Sequence, residues 1–311
     1  MSLATVGLWM YENGGGREIE RKIVQNLKER EIDCHTGLNL RDAIARDGKI
    51  ICKDIIMEEL DAFVSYNASQ QSQFQLYLYQ TLSRAIPTIN NFDAFSIAED
   101  KFQTAHLLNT HGISTPDYRL CHKNDSEGLK QAIRDWGGKL VYKPTDGWGG
   151  VGITKIEGER ALDMLLPFIA RTDLRYFYLE RFINYDNTDY RVDIVDGQFV
   201  GCYGRKAPKN DWKTNVTSGG SVFVREPDQE VVDLAIKATN VLGLEISGVD
   251  IIYDRDKGEY VVLEVNTIPA FATPEQEHLG INFNQRKIDA LVNLLERTAL
   301  KKTSTHSFKV A

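Results

Sequence analysis

Gly248-Val-Asp-Ile-Ile-Tyr-Asp-Arg-Asp-Lys-Gly-Glu-Tyr-Val-Val-Leu-Glu-Val-Asn-Thr-Ile-Pro269 decides how this chain is read. Two β-branched runs, Val249–Tyr253 and Tyr260–Val265, flank a polar turn containing Gly258, the pattern of a β-hairpin. Side chains alternate faces along a strand, so Glu264 and Asn266 point one way and Val265 the other. Pairing Tyr253 with Val261 sets Asp250 across from Glu264. Two carboxylates and one amide oxygen then crowd one patch of a mostly apolar sheet face. Like charges directly opposite repel, so a cation is expected between them. Oxygen donors of this kind suit Mg²⁺, which is commonly held by one or two carboxylates together with the phosphates of a nucleotide. A solvated hairpin face is the plainer alternative, and the near-continuous Val, Ile and Leu around the three polar residues weighs against it.

A nucleotide needs a phosphate cradle, and one stands upstream. The predicted strand Leu140–Lys143 runs into Pro144-Thr-Asp-Gly-Trp-Gly-Gly-Val-Gly152, then a second strand, Ile153–Ile156. Gly147, Gly149, Gly150 and Gly152 let backbone approach a ligand closely, and successive N–H groups in such a loop form an anion nest. It is not a P-loop, since no Gly-Lys-Ser/Thr follows and the next element is a strand. Between cradle and hairpin lie a strand Tyr176–Arg181 and an alternating strand, Asp189-Tyr-Arg-Val-Asp-Ile-Val195. Asp196-Gly197 then signals a two-residue turn before Gln198–Tyr203. Arg205-Lys-Ala-Pro-Lys-Asn-Asp-Trp-Lys-Thr-Asn215 holds four basic residues against one acid, a local anion site in an acidic protein.

The flanks are read more simply. Thr5–Met10, Asp61–Tyr66 and Ile86–Asn90 are predicted strands, and Arg17–Arg30 and Gln71–Arg84 predicted helices, giving a small α/β unit. Gly14-Gly-Gly16 is not a G-x-G-x-x-G fingerprint and reads as a structural or substrate-facing turn, which disfavours a nicotinamide enzyme. One helix is predicted over Phe95–His111, others over Glu127–Trp136, Ala161–Ile169, Glu230–Leu242 and Asn284–Thr298, with a frayed polar tail after it.

At 311 residues the chain has room for about two domains. A net charge of −7 leaves no global field for nucleic acid or an anionic membrane. Cys34, Cys52, Cys121 and Cys202 show no zinc spacing or disulfide framework. No apolar run reaches the ~18 residues of a membrane span, and the start lacks a signal-peptide pattern, so a cytoplasmic protein is expected.

In order along the chain, these stretches resemble the ATP-grasp superfamily and, within it, the RimK-type glutamate ligases and their glutathione-synthetase-like relatives. Glu99-Asp-Lys-Phe-Gln-Thr-Ala resembles the entry helix, whose lysine (Lys101) reaches the nucleotide phosphates. Lys143–Gly152 is similar to the lysine strand and glycine-rich flap, with Trp148 at its tip. Tyr178-Leu-Glu-Arg-Phe-Ile183 resembles the hinge whose backbone, around Glu180, Arg181 and Phe182, pairs with adenine. Asp189-Tyr-Arg191 resembles the acid-x-arginine that places the acid on the ribose. Arg205-Lys206 and Lys213-Thr214-Asn215 are similar to the basic substrate and phosphate loop, and Asp250, Glu264 and Asn266 to the metal hairpin. Asp146 stands where glutamate is usual, and Lys206 and Ser218 where RimK-type members often carry arginine, which bears on the identity of the acceptor.

The resemblance implies an α/β (α+β) ATP-grasp fold, with a Rossmann-like pre-ATP-grasp domain over 1–95, an ATP-grasp domain over 96–300 and a polar tail over 301–311. It implies ATP and two Mg²⁺ (or Mn²⁺) ions as cofactors. It also implies ATP-dependent ligation of a carboxylate to the amine of an amino acid such as glutamate, through an acylphosphate. Arg191, Arg205, Lys206 and Asn215 are the expected catalytic residues. Lys101, Lys143, Gly147, Gly149, Gly150, Glu180, Arg181, Phe182, Asp189, Lys213 and Thr214 are the expected nucleotide contacts. The acceptor is a small molecule, peptide or protein C-terminus, and a homodimer or tetramer is common among relatives. A nucleotide-binding sensor without turnover is the alternative.

Overall fold

Period-two burial sets the first element, β1 (Ala4–Met10), in which Val6, Leu8 and Met10 are fully enclosed. The computed structural model describes residues 2–66, 71–146, 149–169 and 175–307; Gly147 and Trp148, expected in the flap, lie outside them. After β1 come α1 (Gly16–Glu29), β2 (Ile32–Thr36), a small antiparallel sheet of β3 (Ile44–Arg46), β4 (Lys49–Cys52) and β5 (Ile55–Ile56), then β6 (Ala62–Tyr66), α2 (Gln73–Ala85) and β7 (Thr88–Ile89). The parallel first sheet has the order β2-β1-β6-β7. Ile19, Ile23 and Leu27 of α1 recur every fourth residue and form its buried stripe. The strand β2 and the small β3–β5 sheet are additions to the sequence reading.

The helix expected over Phe95–His111 is two helices, α3 (Phe92–Ala98) and α4 (Lys101–Thr110). Glu99 closes the first and Asp100 caps the second: its carboxylate accepts the Gln103 N–H at 2.8 Å, the usual work of an N-cap. Lys101 therefore opens α4, and its backbone N–H donates to the Thr145 carbonyl at 2.8 Å, beside the glycine-rich segment.

A second sheet, all antiparallel, is built from β8 (Tyr118–His122), α5 (Ser126–Asp135), β9 (Lys139–Lys143), β10 (Thr154–Glu157), α6 (Glu159–Ile169) and β11 (Tyr176–Arg181), in the order β10-β9-β11-β8. Leu129, Ile133 and Leu162 of its helices pack against Leu140, Phe177 and Leu179. The third sheet holds β12 (Thr188–Val195), β13 (Gln198–Lys206), β14 (Ser221–Phe223), β15 (Ile246–Asp254) and β16 (Glu259–Asn266), with α7 (Gln229–Leu242) crossing before β15. Its order is β14-β13-β12-β15-β16, again antiparallel. Asp196 and Gly197 both take positive φ at the β12–β13 turn, as a two-residue hairpin of this kind requires.

The decisive hairpin pairs Asp250 with Glu264 as expected, but by a different route. Tyr253 faces Tyr260, one residue off the expected register, and a β-bulge between Asp250 and Ile251 takes up the difference. The carboxylates end up opposite because β16 carries one extra residue there.

Short α8 (Pro274–His278) and long α9 (Asn284–Ser307) close the chain. The helix continues through Ser307 into what was expected as a frayed tail. Ile288, Leu291, Val292, Leu294 and Leu295 of α9 share one core with Val6, Leu8 and Ile23, so α9 packs on the first sheet. Asn90, just past β7, ties the first sheet to the third. Its amide donates to the carbonyls of Ile246 (2.9 Å) and Thr267 (2.7 Å), and its oxygen accepts the N–H groups of Glu245 and Ile246.

Candidate active site

A cleft opens between the second and third sheets. Lys143 of β9 and Glu180 of β11 line one wall. Arg205 of β13, Asp250 of β15 and Glu264 of β16 line the other, with Lys101 at the start of α4. Phe182, Ile183, Tyr185, Trp212, Ile252 and Leu263 supply an apolar side to the same cleft, and Asp189, Lys213, Thr214 and Asn215 reach it as well. Residues expected to meet a nucleotide, from five separate stretches, thus converge. Tyr185 and Trp212 were not anticipated as wall residues. Their link is the Tyr185 hydroxyl donating to the Trp212 carbonyl, and Phe182 meets the Trp212 ring edge-on at 5.5 Å.

The charges here are paired. Asp250 is 3% exposed and receives the guanidinium of Arg191 through Nε and through Nη2 at 3.1 Å, and Arg205 Nη2 at 2.8 Å. Arg205 also forks onto Asp189, Nε to Oδ1 at 2.9 Å and Nη2 to Oδ2 at 2.6 Å, and the Thr214 hydroxyl donates to the same carboxylate. Lys101 Nζ stands 3.1 Å from Glu264 Oε1. Lys143 Nζ meets Glu180 Oε2 at 2.5 Å, while the Tyr178 hydroxyl donates to Oε1 at 2.8 Å. Within the chain itself, two arginines on Asp250 and a lysine on Glu264 relieve the repulsion between the hairpin's facing carboxylates. Burial pushes the Asp250 carboxyl up, and the Arg191 and Arg205 guanidiniums outweigh it, so it sits below the usual carboxylate range. For both arginines burial favours the neutral form, and Asp250 overrides it; each is held above the ordinary arginine value.

Two of the residues expected at the nucleotide have their side chains engaged within the chain. Asp189 has no exposed surface and is spent on Arg205 and Thr214, so the acid expected on a ribose hydroxyl is the counter-ion that aims Arg205. The Arg181 side chain turns from the cleft to a clamp, with Nε 2.7 Å from Asp117 Oδ2 and Nη2 on buried Asp254; its backbone is the part left to face a base. Lys206 is exposed at the end of β13. Gly149 and Gly150, both at positive φ, lie against Asn215, Thr217 and Ser218 of the basic loop.

The donors fit a hard divalent cation. Among the described residues no cluster of three or more His, Cys, Asp or Glu stands together, so the set is two carboxylates and an amide. The Asn266 amide nitrogen donates to the Gly248 carbonyl at 3.3 Å, so the oxygen is the atom of that amide suited to a hard cation. Glu264, a quarter exposed, fronts the cleft. Such oxygen donors, completed by phosphate, are what Mg²⁺ takes.

Sequence reasoning missed a second buried pair, Lys287 of α9 with Asp193 of β12, at 2.7 Å. Nothing local marks it, since the partners are 94 residues apart.

A sequence profile of the RimK-like ATP-grasp domain matches residues 98–291. The tetrahydromethanopterin:α-L-glutamate ligase of Methanocaldococcus jannaschii is 30% identical over 259 residues, 80% of this chain and 86% of that protein. The α-aminoadipate–LysW ligase LysX of Saccharolobus solfataricus is 26% identical over 269 residues, 85% of this chain and 92% of its own. Among solved structures, the ATP-grasp ligase PsnB complexed with minimal precursor, Mg and ADP superposes with a TM-score of 0.67 at 18% identity, over 94% of this chain and 97% of that one. The D-alanine–D-alanine ligase from Bacillus anthracis complexed with ATP gives 0.64 at 18%, over 96% and 99%.

Proposed function

This chain belongs to the RimK-like ATP-grasp family and is an ATP-dependent carboxylate–amine ligase, and we propose that it joins an amino acid such as glutamate to a carboxylate-bearing acceptor through an acylphosphate. The observation that carries this reading is the convergence of Lys101, Lys143, Arg205, Asp250 and Glu264 on one cleft with an apolar side. The apolar side takes the base, Lys101 and Lys143 take phosphate oxygens, and the glycines at 149 and 150 cover them. An oxygen of the acceptor carboxylate attacks the γ-phosphorus and the bond to ADP breaks. The amine then attacks the acyl carbon, phosphate leaves and the amine gives up a proton. Phosphoryl transfer depends on positioning and charge neutralisation more than on covalent help. Arg205, fixed in direction by Asp189 and Thr214, meets the transferring group. Arg191, Lys206 and Asn215 steady the acylphosphate or acceptor. Asp250, Glu264 and Asn266 would hold Mg²⁺, two ions in our reading, and the bound metal would neutralise phosphate charge.

The acceptor is a small molecule, a peptide or a protein C-terminus. We assign residues 1–95 to the pre-ATP-grasp domain and 96–300 to the ATP-grasp domain. We read the protein as a cytoplasmic homodimer or tetramer; no helix among the described residues is long and apolar enough to cross a membrane. The test is ADP release across a panel of acids and amines, with products read by mass spectrometry. Sustained ADP release is expected only when both substrates are present, and Glu264→Ala is expected to abolish it. Unchanged ADP release in that variant would remove Glu264 from the metal site.

A further inference from the structure

Two loops from different sheets touch at the mouth of the cleft. From the second sheet comes Gly149–Gly152, with Ile153 lining the cleft just behind it. From the third comes Asn215–Ser218, immediately after the cleft residues Lys213 and Thr214. The Thr217 hydroxyl donates to the Gly149 carbonyl at 2.7 Å, and the Ser218 hydroxyl reaches the same oxygen at 3.5 Å. The approach is close enough to exclude side chains. A Cβ on Gly149 would lie 2.9 Å from Thr217 Oγ1, and one on Gly150 would lie 3.0 Å from Asn215 Oδ1, with both glycines at positive φ besides. Glycine is needed at these two positions both for backbone conformation and for room.

We propose that Thr217 is a positioning residue, a latch that holds the glycine segment shut over the bound nucleotide. This deepens the ligase reading and rests on its nucleotide site. The latch has a chemical purpose. While the acylphosphate waits for its amine, water that attacks the acyl carbon breaks the bond to phosphate and returns free carboxylate and dihydrogen phosphate, wasting one ATP. Keeping the two loops in contact keeps that water out. The hydrogen bond lies near the surface, where one such bond changes an open–closed equilibrium by about 2–10-fold.

The probe is Mg–ADP, whose release from the full chain is followed by stopped flow. Thr217→Val removes the donor and keeps the shape; it is expected to release Mg–ADP about 2–10-fold faster, with an association rate near wild type. Thr217→Ser keeps a hydroxyl and is expected to restore the wild-type rate, which a merely structural methyl contact would not do. Equal release rates for wild type and Thr217→Val overturn the latch, as does failure of serine to rescue. If the wild-type chain itself does not bind Mg–ADP, the nucleotide reading falls, and the latch falls with it.

Discussion

Replacing Lys287 by methionine tests how much of the fold hangs on one buried ammonium. Lys287 is 1% exposed, and its three donors have three acceptors: Asp193 Oδ2 at 2.7 Å, the Pro269 carbonyl at 2.8 Å and the Ala270 carbonyl at 3.1 Å. The rings of Phe271, Phe283 and Tyr66 surround it at 4.7, 5.7 and 5.8 Å. Asp193 Oδ1 already has no hydrogen-bond partner among the described residues, so Lys287 is what makes burial of this carboxylate tolerable. Removing one member of such a pair costs about 3–5 kcal/mol. With an unfolding entropy of about 2.1 cal/mol/K per residue, a chain of 311 residues loses roughly 6 °C of Tm for ~4 kcal/mol. Lys287→Met is expected to show that drop in thermal unfolding followed by circular dichroism. Pairing it with Asp193→Leu is expected to recover most of the loss, since apolar replacement of both partners is often neutral. The deficit also has a pH signature. Burial raises the Asp193 carboxyl above its ordinary value, and without the lysine that rise grows. A group whose folded value is raised binds protons on folding, so the variant loses stability as pH climbs from the unfolded carboxylate range through the folded value. Its deficit is therefore smaller at pH 5 than at pH 8. A single variant melting within about 1 °C of wild type, at roughly 1.5 °C per kcal/mol, would refute the ion-pair argument.

Two further substitutions probe the site. A Cβ on Gly248 would stand 2.7 Å from Pro269 Cβ and 3.2 Å from Arg191 Cδ, so Gly248→Ala is expected to cost about 1–3 kcal/mol by overpacking and to displace Arg191. Turnover should fall while nucleotide affinity, measured by titration with Mg–ADP, stays near wild type; a parallel loss of both would point to general misfolding instead. Arg205→Lys keeps the charge but cannot fork onto Asp189 while reaching Asp250. ADP formation is expected to fall about 100-fold, and a variant with full activity would show that the fork is dispensable.

The facing of Asp250 and Glu264 was legible because polar residues stood in apolar strands, and strand alternation fixes which side chains share a face. The register near the hairpin's turn was not, because a bulge leaves no mark in a run of Val, Ile and Leu. The split between α3 and α4 had a visible cue in Asp100, a capping residue, but the apolar pattern runs straight across it. Strand β2 was missed for a plainer reason: Ile32 is its only buried residue, too little to generate a period. Asp189 lines the cleft, and its carboxylate is held by a side chain the sequence did not point to. Its neighbour in space, Arg205, is 16 residues away on the next strand, and no local rule says which of two nearby bases an acid will take. Lys287 carried no cue at all, since a lysine on a helix is ordinarily solvated.

The long last helix has a consequence for how the protein is made. Ile288, Leu291, Val292, Leu294, Leu295 and Ala299 belong to the same apolar cluster as β1 and α1, yet they are synthesised about 200 residues after Ile89, the end of the first sheet. At 5–20 residues per second, that is a wait of roughly 10–40 s. Throughout it, the face of the first sheet that α1 covers in part lacks the rest of its cover, so its folding is completed only when the last helix returns to pack beside α1. Chaperone engagement and premature termination therefore act first on the amino-terminal sheet, at the far end of the chain from the missing helix.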